Sequence, residues 1–154
     1  MISIRPARPE DAATVIAFVN DLNRYEGKPL MSLTPAQFCE SAFGSEPWFQ
    51  CLVAEWDGRA VGYAAYSRSF ELESGARALH LVDLFVASEA RRQGVASALF
   101  AELARIALEL GCEHIGWEVL AWNTEAQAFY RAIGGTEEEV LSFSLGARQI
   151  KALV

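Results

Sequence analysis

The sequence predicts one α/β domain in which helices cover the faces of a mixed β-sheet. Three observations carry this. A largely apolar run over 79–86 has the length and composition of a buried strand. After a short polar turn, Val95, Ala98, Leu99, Leu103, Ile106, Ala107 and Leu110 recur at helix spacing, and Gly111 follows as a stop. Upstream, strand-like runs flank Asp57-Gly58, a two-residue hairpin signal.

The elements follow in order. Residues 2–5 read as a short strand. Pro9, with Glu10 and Asp11 beside it, suits the first turn of a helix. Val15, Ile16, Val19 and Leu22 give that helix an apolar face to about Tyr25, and Gly27 and Pro29 end it, so Tyr25-Glu26 lies at the mouth of a loop. Thr34, Pro35 and Gln37 form a capping-box pattern opening a second helix within 32–44. Residues 50–56 and 59–69 are the hairpin strands, and the central strand spans about 78–86. A further strand is expected at 114–120. Asn123 then caps a helix with Ala126, Phe129, Tyr130 and Ile133 on one face, closed by Gly134-Gly135. Residues 140–145 and 149–153 read as two last strands around Gly146. The order is β-α-α-β-β-β-α-β-α-β-β, with no repeat and no linker.

Composition narrows the functions. A chain of 154 residues with 52% hydrophobic and 21% charged residues fits one soluble domain with a sizeable core. It has no apolar stretch long enough to span a membrane, and its first residues carry no signal-peptide pattern, so a cytoplasmic protein is expected. Cys39, Cys51 and Cys112 are widely spaced without CxxC, which fits reduced thiols and no metal. His80 and His114 are the only histidines and read as structural. The net charge of −7 argues against nucleic acid and suits a cationic small partner such as an amine.

An acidic protein holds an anion only at a local positive site. The junction Arg91-Arg92-Gln93-Gly94-Val95-Ala96-Ser97 supplies one. Its helix start offers free N–H groups and the positive dipole end, and its small residues let a phosphate approach the backbone. That is a place for a pyrophosphate.

The element order, with Arg91-x-x-Gly94-x-Ala96 opening the central helix, resembles the GCN5-related N-acetyltransferase (GNAT) superfamily. Asn123-x-x-Ala126-x-x-Phe129-Tyr130-x-x-x-Gly134 is similar to that superfamily's second motif. The resemblance covers nearly the whole chain. It implies a mixed, mostly antiparallel sheet of about six or seven strands flanked by about four helices. Tyr25-Glu26, residues 51–55, residues 83–86, Trp122-Asn123 and Phe129-Tyr130 are most similar to the diamine (spermidine/spermine and thialysine-type) N-acetyltransferases. That likeness implies acetyl-CoA as cosubstrate. Leu84, Phe85 and Val86 would run beside its acetyl-pantetheine arm, Arg91 to Ser97 would hold its pyrophosphate, and Asn123, Thr124, Glu125 and Ala126 would line the pantetheine. Tyr130 would protonate the departing thiolate. Tyr25, Glu26, Asp83, Gly116, Trp117 and Glu118 would face the amine. A homodimer is implied as well. Two positions depart from the polyamine acetylators: Val82 replaces a glutamate that holds the amine, and Ala121 replaces an acidic residue.

Acetyl transfer to an amine needs no protein nucleophile, because the substrate nitrogen attacks. The thioester must be aligned, its developing oxyanion met by a donor, and the amine made neutral. An alkyl amine of pKa about 10.4 is neutral in about one molecule in 2,500 at pH 7, a cost of about 4.6 kcal/mol. Glu118, Glu26 and Asp83 are the candidates to relieve it. Glu118, on the strand leading to Trp122-Asn123, ranks first. Asp83 starts an apolar segment where an unpaired carboxylate is expensive, so it is functional or has a partner. Each residue also has a plainer reading: Tyr130 as core, Asn123 as a cap, the tryptophans as packing. The joint placement favours an acetyl-CoA-dependent N-acetyltransferase acting on a small primary amine by direct transfer in a ternary complex. A peptide or protein N-acetyltransferase, and a non-catalytic CoA-binding sensor, are the rivals.

Overall fold

A computed structural model describes residues 1–154. Its contacts divide into two units, Met1–Glu118 and Val119–Val154. The first unit is built on a sheet in the order β1-β2-β3-β4-β5, from β1 (Ile2–Pro6), β2 (Gln50–Trp56), β3 (Arg59–Glu71), β4 (Ala76–Val86) and β5 (His114–Gly116). The first four strands pair antiparallel, and β5 joins β4 in parallel.

Local chemistry fixes the helices. A short 3-10 turn at Pro9–Asp11 leads into α1 (Ala12–Glu26). In α2 (Pro35–Phe43), Thr34 Oγ1 accepts from Gln37 N at 3.2 Å and Gln37 Oε1 accepts from Thr34 N at 2.9 Å, the reciprocal cap expected. Asp57 and Gly58 both take positive φ, 49° and 79°, as the tight hairpin between β2 and β3 requires. α3 (Val95–Glu109) follows β4 and closes at Gly111, φ 67°.

Both faces of the sheet are covered, so β2 reads as a continuous apolar run. Leu52, Ala54, Ala64, Tyr66, Leu79 and Leu81 pack with Val95, Leu99, Leu103 and Ala107 of α3. On the opposite face Val53, Tyr63, Ala65 and Phe85 pack with Val15 of α1 and Phe38 of α2.

One irregularity in β4 decides what the strand presents. The β3–β4 register runs through Ala65↔Asp83 and then jumps to Tyr66↔Leu81, so Val82 is an extra, unpaired residue: a β-bulge. Strict alternation would place Leu81, Asp83 and Phe85 on one face. The bulge resets the phase. Leu79 and Leu81 stay on the α3 face, while Phe85 packs on the α1/α2 face, where Asp83 meets Tyr63. Val82 itself is 48% exposed.

Three expectations are corrected. The strand expected at 114–120 is confined to His114–Gly116, and pairing with β4 ends at His80↔Gly116. A bulge bends its strand, and this one begins two residues beyond that last pair. Residues 149–153 are not a strand, because α5 (Ala147–Lys151) occupies this stretch. Its Ala-Arg-Gln-Ile-Lys is made mostly of good helix formers, and Gly146 starts it. Residues 140–145 have strand composition but no ladder, with Val140, Leu141, Phe143 and Leu145 exposed. The sheet is therefore mixed and mostly antiparallel as expected, with fewer strands. The second unit contains α4 (Thr124–Ala132), whose cap is the expected one: Asn123 Oδ1 accepts from Ala126 N at 3.2 Å.

Candidate active site

The first component is the corner between β4 and α3. The first intrahelical bond of α3 is Ala98 N to Gly94 O at 2.9 Å, and no side chain caps the helix. The N–H groups of Val95, Ala96 and Ser97 therefore have no acceptor within the helix. Two left-handed residues shape the approach, Arg92 at φ 60° and Gly94 at φ 84°. A non-glycine residue held in that region stores strain, which proteins keep mainly at functional sites. No atom lies within 4 Å of the point a Cβ on Gly94 would take. The donors, the dipole and that clear approach fit a diphosphate, as the sequence predicts. The two arginines differ. Arg91 Nε donates to Val86 O at 3.1 Å, and its guanidinium lies 5.6 Å over the Tyr25 ring. Arg91 thus ties the end of β4 to the end of α1, in addition to placing a positive charge beside the corner.

The second component is the free edge of β4. Past His80↔Gly116, β5 no longer pairs with it, while β3 continues to pair on the other side up to Gly62↔Val86. Alternate backbone groups of Val82, Asp83, Leu84, Phe85 and Val86 point away from β3, and apart from the Val86 carbonyl held by Arg91 they have no strand partner on this side.

The third component is a carboxylate pair that the sequence names but does not connect. Asp83 and Glu26 act on each other electrostatically, although 57 positions separate them in the chain (83 − 26). Burial chiefly, and then the Glu26 charge, raises the Asp83 carboxyl above the usual range, while Lys28 and a hydrogen bond from Tyr63 pull the other way. The Tyr63 hydroxyl donates to Asp83 Oδ2 at a long 3.4 Å, and burial pushes that phenol well up, so it stays protonated as a donor. Glu26 also pairs with Lys28 Nζ at 2.5 Å. Of the two readings open for Asp83, functional or paired, the structure supplies a partner in Tyr63. A carboxyl raised in this way takes a proton more readily than an ordinary aspartate.

Glu118, ranked first as base from sequence, is exposed and faces His80 Nε2 at 3.6 Å. Gly116 is the last residue of β5, and Trp117 packs edge-on against Phe100 at 5.2 Å. Asn123, Thr124, Glu125, Ala126 and Tyr130 belong to the second unit. There Asn123 occupies the Ala126 N–H, and the half-buried Tyr130 lies 5.6 Å from Phe129. Sequence reasoning missed Lys28, Tyr63 and the bulge at Val82. Lys28 was legible as the residue after a Glu-Gly helix end. The other two depend on register, which no local pattern states. No group of three or more His, Cys, Asp and Glu side chains is placed to hold a metal ion.

Comparison with known proteins bears on the family and the fold. The acetyltransferase (GNAT) family model matches residues 15–134. The thialysine N-epsilon-acetyltransferase of Bos taurus is 30% identical, over 88% of this chain and 85% of that protein. A spermidine/spermine N(1)-acetyltransferase-like protein of Homo sapiens is 26% identical over 87% of this chain but only 20% of its own length. Among solved structures, an integron cassette protein from the mobile metagenome of V. cholerae superposes with TM-score 0.81 at 20% identity, covering 99% of this chain and 96% of that one. A ribosomal-protein-alanine N-acetyltransferase from Brucella melitensis gives 0.77 at 19% identity, over 95% and 99%. These two likenesses speak for the fold. The family match, which spans most of the chain, and the bovine relative carry the assignment: the chain belongs to the acetyltransferase (GNAT) family and is an N-acetyltransferase.

Proposed function

We propose that this enzyme moves the acetyl group of acetyl-CoA to a primary amine of a small molecule, a diamine, polyamine or lysine-like amino acid, by direct transfer in a ternary complex. The observation that carries the reading is the open edge of β4, which holds Asp83, on which the Glu26 charge acts, and ends at Val86, where the turn to the uncapped start of α3 begins. Relatives named for thialysine and for spermidine/spermine support the acceptor class.

Acetyl-CoA bound at the α3 corner supplies the acetyl thioester. The N–H groups of Val95, Ala96 and Ser97, with Arg92 and the main chain of Gln93 and Gly94 beside them, hold the diphosphate. Leu84, Phe85 and Val86 run along the pantetheine, and N–H groups of the bulged stretch meet the developing oxyanion. Asp83 takes a proton from the incoming ammonium while Glu26 keeps the locality attractive to cations. Glu118, Gly116 and Trp117 flank the acceptor, and His80 orients Glu118. Asn123, Thr124, Glu125 and Ala126 line the pantetheine, and Tyr130 returns a proton to the departing thiolate, as the family resemblance suggests. The family match crosses from the first unit into the second, which supports one acetyltransferase domain over the chain. Exposed Val140, Leu141, Phe143 and Leu145 support a homodimer, and three free cysteines suit the cytoplasm.

Release of free thiol from acetyl-CoA across spermidine, putrescine, lysine, thialysine and short peptides tests the reading. Turnover should be highest on a small amine. Higher turnover on peptides would refute the acceptor class, and acetyl-CoA binding without thiol release on any amine would refute catalysis.

A further inference from the structure

The end of α1 places a cation inside the acidic locality assigned to the acceptor. Gly27 takes the left-handed conformation, φ 69°. Its N–H donates to Arg24 O at 3.2 Å, and the Lys28 N–H donates to Asn23 O at 2.8 Å. This reciprocal pair is the Schellman closure, and it fixes the main chain of Lys28 just past the helix. The loop beyond is pinned again where Met31 N donates to Asn20 Oδ1 at 2.7 Å. From that fixed base the Lys28 side chain reaches back to Glu26, Nζ to Oε2 at 2.5 Å, and its charge acts on Asp83. Glu26 is only 16% exposed in this pair, while Lys28 remains 52% exposed. The ammonium therefore keeps a solvent-facing side that can meet a second group.

We propose that Lys28 determines acceptor specificity: the Lys28–Glu26 ion pair is the docking site for the zwitterionic head of an amino acid, whose carboxylate meets Lys28 and whose α-ammonium meets Glu26. This rests on the acceptor reading above and narrows it to one class. An ion pair is complementary to a second ion pair laid against it head to tail. It is not complementary to a free polyamine, whose distal ammonium meets the like charge of Lys28. Val82, exposed at the bulge, adds no further carboxylate to offset that charge. The preferred acceptor is then a lysine-like amino acid acetylated on its side-chain amine.

The test compares L-lysine with 1,5-diaminopentane, which differs only by lacking the carboxylate. The catalytic efficiency kcat/KM is measured with both acceptors for the wild type, Lys28→Met and Lys28→Arg. The wild type should favour lysine. Lys28→Met should lower the lysine-to-diamine ratio by about fivefold or more, through a higher KM for lysine with kcat retained, and Lys28→Arg should keep the preference. Only the Lys28 main chain closes α1, so truncating its side chain leaves the helix end intact. If the wild type acetylates neither of these amines nor spermidine, putrescine or thialysine, the acceptor reading fails and this inference falls with it; acetylation of the polyamines alone overturns the Lys28 assignment. If both amines are acetylated and Lys28→Met leaves the ratio unchanged, or the wild type favours the diamine, the Lys28 assignment alone is overturned.

Discussion

Replacing Gly94 by alanine separates the glycine's conformational role from its role at the ligand. At φ 84° an L-residue is strained, by about 1–2 kcal/mol on the scale of left-handed backbone. For a chain of this length that lowers Tm by about 2–4 °C per kcal/mol. The new methyl meets no protein atom within 4 Å, so no packing clash adds to this. It does stand where a diphosphate must come close to the backbone donors of α3. Losing one charge-assisted hydrogen bond is worth about 1.5–3 kcal/mol, which is about tenfold or more in affinity. Gly75→Ala is the matched control: its φ is 71°, its Cβ would also meet nothing within 4 Å, and it lies just before β4, at the opposite end of that strand from the turn that leads to the start of α3. Calorimetric titration with CoA and thermal melts of both variants should show similar losses of Tm, but weakened binding only for Gly94→Ala. Equal affinity in the two variants would refute the placement of the diphosphate.

Three further outcomes follow from named contacts. Tyr130→Phe should lower kcat by about a hundredfold with the KM for acetyl-CoA unchanged, and an unaltered kcat in the thiol-release assay removes Tyr130 from the chemistry. Because the folded-state pKa of Asp83 is raised, its contribution to stability is present at low pH and is lost as pH rises through that raised value. Asp83→Asn should therefore be more stable than the wild type at neutral pH and much less active; denaturant melts at several pH values and the same rate assay check both. Arg5 holds Asp11 through two bonds at 2.7 and 2.9 Å and Glu55 through a third at 2.9 Å, and Arg5 chiefly pulls the Asp11 carboxyl below its usual range. Asp11→Asn should cost about 2 kcal/mol at neutral pH. The wild type should lose that advantage as pH falls through the lowered Asp11 value, whereas the variant shows no such step in its melts.

What the sequence disclosed was mostly what is local. Thr34-Pro35-x-Gln37 wrote its own cap, Asp57-Gly58 its own turn, and Gly94 to Ser97 a helix start without a side-chain cap, because each depends on residues a few positions apart. The pairing of β2 with β3 followed from that turn, whereas the place of β1 beside β2, across two helices, did not. What stayed hidden depends on register. The bulge at Val82 is invisible in Leu81-Val82-Asp83, which reads equally well as a regular strand, yet it turns Asp83 toward Tyr63. Asp83 and Glu26 were both named as acceptor-facing, but only the packing of α1 against β4 makes one shift the other. At the C-terminal end, alternating apolar residues suggested strands, but Ala147-Arg-Gln-Ile-Lys has stronger helical preference, and residues 140–145 find no ladder.

A crystal structure grown with CoA bears most directly on the central claim, that this acidic enzyme holds its anionic cosubstrate on the uncapped start of α3 and along the free edge of β4. The diphosphate should accept hydrogen bonds from the N–H groups of Val95, Ala96 and Ser97, with the pantetheine lying beside Leu84 to Val86. A diphosphate bound on any other surface would contradict the account.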